Sequence, residues 1–364
     1  MTGFVPTRSG RPLKSDAAQP DRATRSGTRR FAKRFPTAHG AHFRLMRELT
    51  ISSIGIGTYR GSNSPGFDRR ARTAIISAVA NGCNVIDTAR NYRDGRSEVV
   101  VGNAIRALSA TGIAKRDELL VCSKAGYVYE QDARIRQFSA STVDSNVLNP
   151  AFLSSEIALS LDHTGLQAID VYFLHNPEVH LPKLGSRKFY RTLASCFEIL
   201  ERYVSDKRIG IYGLACWSAF DRDARTSIDL SRVMRAARIA AGNRRANLGA
   251  IQTPLNWRYR DPVVAPTNRS LLKMCQEKKL ILLGSSPLLG GHFARLPSEL
   301  GNAISGKLSD SQRSIQFARS LRGVSATLVG MNGADHVEEN LRLRRIPALR
   351  SSLVRRLCSA LDSL

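Results

Sequence analysis

The sequence predicts an α/β fold, a closed (β/α)8 TIM barrel, and three observations lead there. Eight short apolar runs open near residues 53, 84, 119, 168, 208, 250, 280 and 325, each followed by a helical pattern. The runs are continuous rather than alternating, as expected of parallel strands covered on both faces. Eight βα units in about 290 residues suit a closed barrel. The structural rival, a doubly wound nucleotide-binding sheet, requires G-x-G-x-x-G after its first strand. The chain offers G-I-G-T-Y-R-G (55–61), with a different spacing and a Gly- and Pro-containing loop behind it.

The elements follow in order. Residues 1–21, rich in Arg, Ser, Thr and Pro, read as a disordered basic leader with little to bury. An organellar transit peptide is the alternative reading of that leader. Arg25 to Arg34 is helix-capable, and Phe31, Phe35, Phe43 and Leu45 are expected to cover the barrel floor. The barrel, with an N-terminal hairpin cap, is expected over 22–345 and a helical tail over 346–364.

Within the barrel, SIGIG (53–57) is the first strand and ARTAIISAVANG (71–82) a helix with Gly82 past its end. NVIDTA (84–89) is a strand, and SEVVVGNAIRAL (97–108) a helix with Ser97 as its N-cap. LLVCSK (119–124) precedes a helix that opens on Pro150. The alternation continues with strands at 168–175, 208–216, 250–256, 280–286 and 325–330. Helices are expected at 193–206, 229–242, 270–279, 310–321 and 335–344.

Composition limits the function. The 364 residues include 55 Lys and Arg against 30 Asp and Glu, a net charge of +25. No run of about 18 apolar residues exists, which excludes a membrane-spanning helix. The basic excess is concentrated before residue 50 and between Arg342 and Arg356. A nucleic-acid patch would interleave aromatics with the charge, and only Phe4, Phe31, Phe35 and Phe43 lie near it. Solvated Arg-rich faces are therefore expected, with no specific nucleic-acid partner. Six cysteines form no C-x-x-C pair and seven histidines no H-x-x-x-H pair. That composition suits reduced, buried thiols in a cytoplasmic protein without a metal site.

Active sites of such barrels lie at the C-terminal ends of the strands. Strand two ends at Asp87 and runs on to Tyr92, strand three ends at Lys124, and strand four at His175 and Asn176. Strand six carries Gln252. A free phenol, with a pKa of about 10, is a weak acid, and a neighbouring ammonium lowers that value. Lys124, paired with Asp87, is placed to tune Tyr92 as a proton donor, with His175 orienting a carbonyl. No residue here supplies a hydride, so such a reduction needs a nicotinamide cofactor. Taken singly, Asp87 also reads as a loop cap, Lys124 as a solvated lysine and His175 as a turn histidine.

The motifs D-T-A-R-N-Y (87–92), S-E (97–98), C-S-K (122–124) and I-D-V-Y-F-L-H-N-P (169–177) resemble those of the aldo-keto reductases. So do Q-T-P-L-N (252–256), S-P-L-L-G-G (286–291) and V-G-M-N-G-A-D-H-V-E-E-N-L (329–341). The stretch 43–59 resembles the hairpin and first strand of a bacterial branch of that family. The resemblance implies a tetrad of Asp87, Tyr92, Lys124 and His175, with Tyr92 as general acid. It also implies cofactor contacts at Gly57, Thr58, Asn176, Ala215, Cys216 and Gln252. A pyrophosphate would lie near Ser286, Leu288 and Gly330, and an adenine near Glu339 and Asn340.

Three departures from the family pattern stand out, the first being an adenine-ribose loop that shows Asn332, Gly333 and His336 in place of the frequent Lys or Arg for a 2′-phosphate. Ala215 and Cys216 occupy the position of the usual Ser-Asn, and Ser285 that of a stacking aromatic. Tyr59, Tyr127 and Trp217 are candidates for the substrate wall, as is Trp257, and the long 125–149 connection with Tyr129, Phe138 and Val147 would shape the approach. The implied activity is NAD(P)H-dependent reduction of a small-molecule aldehyde or ketone, with NADP(H) preferred and NAD(H) possible. The alternative is a nucleotide-binding regulatory protein on the same fold with little turnover.

Overall fold

A helix and a hairpin precede the barrel: α1 (Arg25–Lys33), then the antiparallel pair β1 (Phe43–Met46) and β2 (Leu49–Ser52). The computed structural model describes residues 21–128, 137–138, 141–221, 224–242, 244–260 and 271–362. Tyr129 and residues 1–20 of the expected leader lie outside the described residues. Eight parallel strands then close on themselves: β3 (Ile54–Gly57), β4 (Val85–Asp87), β5 (Leu120–Ala125), β8 (Ile169–His175), β9 (Ile209–Ala215), β10 (Leu248–Pro254), β11 (Ile281–Ser285) and β12 (Ala326–Gly330). Strand β12 pairs back onto β3. The fold is the expected (β/α)8 barrel. Between β5 and the next helix lies a small hairpin of β6 (Thr142–Val143) and β7 (Asn146–Val147).

The helices between strands are α2 (Pro65–Ala80), α3 (Arg96–Ala110), α4 (Pro150–Thr164), α5 (Leu181–Ser205), α6 (Leu230–Ala240), α7 (Leu271–Glu277), α8 (Ser298–Ala303) and α9 (Asp310–Ser320). After β12 come α10 (Ala334–Leu341) and α11 (Ser351–Asp362), the latter inside the expected tail.

Side chains alternate between the two faces of each strand, which sorts the core into an inner and an outer layer. Val85, Leu120, Cys122, Val171, Phe173, Ala250, Leu283 and Leu328 meet inside the barrel, with Ile51 of β2 reaching in from the floor. Tyr172, Leu174, Tyr212, Leu214 and Leu282 face the surrounding helices. The inward parity continues to the strand ends. Two residues past Val85 is Asp87, two past Cys122 is Lys124, two past Phe173 is His175, and two past Ala250 is Gln252.

The floor is tied by polar contacts as well as by Ile51. Asn84 accepts from the Ser52 N–H at 2.8 Å and donates to the carbonyls of Thr50 and Glu118 at 3.0 and 3.2 Å. Helix α1 is capped by Thr24 and anchored by Arg30 on Asp117 and Glu118 at 2.7 and 2.8 Å. Phe31 is 1% exposed and meets the rings of Phe35 and Phe43 at 5.2 and 6.2 Å.

Several boundaries differ from the sequence reading. Helix α2 starts at Pro65 because Ser64 caps it, accepting from the Phe67 N–H at 3.2 Å. Ser97 does not cap α3. Arg93, Asp94 and Gly95 take successive left-handed conformations, so Gly95 is the cap position and Ser97 lies in the first turn, donating to the Thr58 carbonyl at 2.8 Å. Helix α5 begins well before 193, with a break at Gly185, where φ is 68°. Leu45 does not cover the floor, since its side of β1 faces solvent and it is 69% exposed. Phe31→Ala is expected to lower unfolding free energy by about 3–5 kcal/mol, whereas Leu45→Ala stays within about 0.5 kcal/mol. Urea unfolding of both variants against the parent measures the contrast.

Candidate active site

The mouth of the barrel is organised by Asp87. Its Oδ2 accepts from Lys124 Nζ at 2.8 Å, and its Oδ1 accepts from Gln252 Nε2 at 3.0 Å. Lys124, 1% exposed, also donates to the Thr88 carbonyl at 2.6 Å. The backbone past Asp87 continues along β5, with the Thr88 and Arg90 N–H groups donating to the Cys122 and Lys124 carbonyls at 2.9 Å each. A turn follows, in which the Tyr92 N–H donates to the Ala89 carbonyl at 3.1 Å. This path brings the Tyr92 ring to 4.5 Å from Lys124 Nζ.

His175 completes the group, with its ring 5.9 Å from that of Tyr92 and 5.0 Å from that of Tyr127. Its Nδ1 is buried and has no protein hydrogen-bond partner. Tyr59 stands 4.9 Å from the Tyr92 ring on the other side and is 61% exposed. The four sequence-predicted residues Asp87, Tyr92, Lys124 and His175 therefore share one mouth, rimmed by Tyr59 and Tyr127.

The electrostatics follow from burial. Burial raises the Tyr92 pKa, and the opposing pull of Lys124 does not cancel it. The expectation that Lys124 brings this phenol below its ordinary range is not met: the side chain is too desolvated, and Asp87 repels the phenolate. Tyr92 thus keeps its proton through the neutral range. Burial works against the Lys124 ammonium, but Asp87 and Tyr92 outweigh it and the net shift is upward. Burial, aided by Lys124, holds His175 well below the usual imidazole range, so it is neutral.

Two residues that the sequence reading passed over hold the site. Asn146 of β7, 1% exposed, donates to the His175 carbonyl at 2.7 Å, and its Oδ1 lies 3.0 Å from His180 Nε2. The neighbouring Asn176, left-handed at φ 50°, donates through Nδ2 to the Tyr127 hydroxyl at 2.8 Å. The long connection after β5 therefore clamps the His175 corner. Glu178, fully buried, accepts from the Trp217 and Ser218 N–H groups at 2.6 and 3.1 Å. Its position next to the H-N-P motif was the available signal. Asn146 carried none, because its contacts are 29 and 34 residues away.

The other predicted residues divide. Ala215 lies inside the barrel, whereas Cys216 packs in the outer core. Thr58 spends its hydroxyl on the Asp87 carbonyl at 3.1 Å, beside Gly57. Trp257 is no substrate wall: it is 1% exposed, stacked on Phe317 at 3.9 Å, and donates to Ser314 Oγ at 2.9 Å. Trp217 is 45% exposed, with its ring 6.0 Å from that of Tyr259.

The remaining predicted cofactor residues lie on the loop after β11, at the end of β12 and on α10. Ser286, Leu289, Gly290 and Gly291 all take positive φ, and around Leu288 the loop after β11 folds on its own backbone bonds. A side chain added at Gly330 would meet nothing within 4 Å. Helix α10 has no side-chain cap, which leaves its first-turn N–H groups open to an anion. Asn340 is 4% exposed, and its Oδ1 is buried with no partner. Glu339 accepts from Ser309 Oγ. Among the described residues no group of His, Cys, Asp and Glu is placed to hold a metal ion, and no helix is long and apolar enough to cross a membrane.

Comparisons with known proteins fit this geometry. The Aldo/keto reductase family pattern matches residues 53–312. The chain is 29% identical over 173 residues to the NADH-specific methylglyoxal reductase of Escherichia coli (strain K12), a match covering 46% of this chain and 49% of that protein. It is 22% identical over 314 residues to an uncharacterized oxidoreductase, YqkF, of Bacillus subtilis (strain 168), covering 81% and 88%. An aldo/keto reductase from Klebsiella pneumoniae, solved in complex with NADP and acetate, superposes with a TM-score of 0.63 at 19% identity, covering 88% of this chain and 95% of that one. The glycerol dehydrogenase of Gluconobacter oxydans gives 0.65 at 17% identity, covering 89% and 96%. At those identities the two structures speak for the fold alone. The family pattern spans most of the chain, with seven of the eight barrel strands and the four mouth residues included, and the protein belongs to the aldo/keto reductase family of oxidoreductases.

Proposed function

We propose that this protein reduces an aldehyde or ketone to the alcohol, with NADPH preferred over NADH and Tyr92 as the proton donor. The observation that carries the reading is the buried Asp87–Lys124 pair beside a protonated phenol and a neutral imidazole at one barrel mouth. The residues present suit the cofactor. The orphaned Asn340 Oδ1 fits an adenine amino group, with Glu339 next to it, and the Ser286–Gly291 loop and the Gly330 opening fit a pyrophosphate. Gln252, already held by Asp87, would take the carboxamide, with Asn176, Ala215, Gly57 and Thr58 around it. When bound, the reduced nicotinamide supplies the hydride.

The chain's own residues do the rest. Tyr92 donates its phenolic proton to the carbonyl oxygen as negative charge develops there. Lys124 remains an ammonium because Asp87 holds it, and it stabilises the phenolate left behind. His175, neutral, is placed to orient the carbonyl. Tyr59, Tyr127 and Trp217 form a wall for an apolar substrate face and keep water from the reacting atoms. The E. coli relative named for methylglyoxal makes short aldehydes the first compounds to screen.

Tyr92→Phe is expected to lower kcat by at least about 100-fold with little change in NADPH affinity. Near-normal turnover of this variant removes the assignment. The parent's kcat should be flat from about pH 6 to pH 9, because the phenol titrates above that range and His175 below it. NADPH binding without any carbonyl-dependent loss of 340 nm absorbance across the screen would favour a regulatory protein.

Asn146→Ala should lower kcat about 10-fold by loosening the His175 corner, while NADPH affinity stays constant. An unchanged kcat shows that the hairpin clamp is dispensable.

For the cofactor, the open first turn of α10 and the chain's positive field favour the more anionic nucleotide, and His336 of that turn has Asp335 4.0 Å away. Arg342 adds less, since Glu338 holds it at 2.9 Å. NADPH should bind more tightly than NADH by about 1–2 kcal/mol, less at high salt. A preference for NADH at low salt in fluorescence titration reverses this assignment and points to Asp335 or Glu338 as the ribose ligand.

A further inference from the structure

We propose a second ligand site on the barrel floor, at the end opposite the strand mouth, that takes a multivalent phosphoanion: a polyphosphate chain, free or carried by a nucleoside. The site is a cleft of about 580 Å³ between the β1–β2 hairpin and the N-terminal ends of β11 and β12. That volume lies in the range of small-molecule sites. Arg44, Arg47, Lys279, Arg319 and Arg322 line it, and among the described residues no Asp or Glu does.

The cations are not neutralised by the fold. Arg44 gives its N–H groups to backbone carbonyls, those of Ala41 at 3.2 Å, Arg319 at 2.7 Å, and Val324. Arg319, fully buried, gives its own to Gln316 Oε1 at 2.8 Å, Ser53 Oγ at 3.0 Å and the Ile346 carbonyl at 2.5 Å. Every one of these acceptors is neutral, so among the described residues two neighbouring guanidiniums sit in the floor with no carboxylate in contact. Burial pushes Arg44 down to about 10, and burial together with Arg44 pushes Arg319 down to about 9. Arg47 is half-buried beside Arg245, and the acid near it, Glu48, does not offset them. Lys279 and Arg322 stand exposed at the rim, in no ion pair among the described residues.

Charge buried without a counter-charge is costly, and like charges gathered in one cleft add to that cost. A multivalent anion offsets both at once: the closed-off Arg319 acts through its charge alone, while the more exposed Arg47 and Arg322 carry guanidinium groups that match phosphate oxygens in geometry. Arg47 and Lys279, both in the cleft lining, hold left-handed backbone at φ 55° and 53°, an uncommon conformation for a side-chain-bearing residue. Met46, Leu280 and Leu321 give the cleft an apolar wall suited to an organic group on the phosphate. Among the described residues the concave lining holds no aromatic side chain, which favours a small molecule over a nucleic-acid strand.

The test uses the full chain at an ionic strength of about 0.1 M, where surface attraction is largely screened. Tripolyphosphate and ATP are titrated by calorimetry, and hydrogen exchange locates the protected amides. The expected result is saturable binding of one equivalent, with protection at 44–47 and 319–324. The reversal variant Arg47→Glu/Lys279→Glu/Arg322→Glu should bind at least about 30-fold more weakly, and the milder Lys279→Gln/Arg322→Gln about 5-fold more weakly. ATP binding tighter than tripolyphosphate supports the site with the apolar wall engaged, and equal binding supports it with the phosphate chain alone as ligand. Three results overturn the proposal: no saturable binding, affinity unchanged in both variants, or protection confined to 286–291 and 330–341.

Discussion

The contact on which the functional end of this molecule depends is the ion pair between Asp87 and Lys124. Both side chains point into the barrel at the level where the apolar core stops, and both are nearly out of reach of solvent. A buried pair is not a source of stability by itself, since desolvation of two charges rivals their attraction. It survives here because its remaining valences are filled. Gln252 donates to the second Asp87 oxygen, and the Thr88 carbonyl takes another Lys124 proton. Removing one partner strands the other in a dry site, with a cost of about 3–5 kcal/mol. The pair also fixes the field in which Tyr92 sits. Pairing keeps Lys124 cationic, while burial keeps Tyr92 protonated, so the proton is held on the phenol at neutral pH.

Much of this was legible in the sequence because it follows from short-range periodicity. The eight apolar runs became the eight barrel strands, and the inward parity of each strand leads from core residues to Asp87, Lys124, His175 and Gln252 without any long-range information. Residues at strand ends in such a barrel have one place to go. The same logic failed where a backbone departs from regular geometry. Ser97 looked like a cap because it precedes Glu98 in a helical pattern, yet three left-handed residues before Arg96 set the true start. Leu45 looked like a floor residue by composition, but strand alternation turned it to solvent.

What the sequence could not supply is contact between distant segments. Asn146 reaches His175 and His180 across a hairpin whose pairing is only two residues long on each strand. Such a hairpin has no period to detect. Glu178 is a related case. Its carboxylate takes two N–H groups from the turn after β9, where Ala215 and Cys216 stand in place of hydrogen-bonding side chains. That turn is therefore held from behind, by the element after β8, and the loss of polar side chains on strand β9 need not loosen it. Trp217, next to this anchor, keeps a defined position although it is partly exposed.

The charge of the chain can be read in the same physical terms. A net +25 is more than a dinucleotide cofactor requires, and a solvated Arg-rich surface accounts for charges that sit in water. It does not account for Arg44 and Arg319, which lie in the floor against neutral acceptors. Their contacts have a structural consequence: Arg44 bridges the hairpin to the α9–β12 corner, and Arg319 joins Ser53, between β2 and β3, to the segment after α10. Neutral carbonyls satisfy the geometry of a guanidinium but do not cancel its charge. At Arg44 and Arg319 the guanidinium nitrogens have hydrogen-bond partners but no described carboxylate in contact, whereas at the mouth Asp87 supplies both for Lys124. The positive potential left over at the floor is what an anion from solution would meet there.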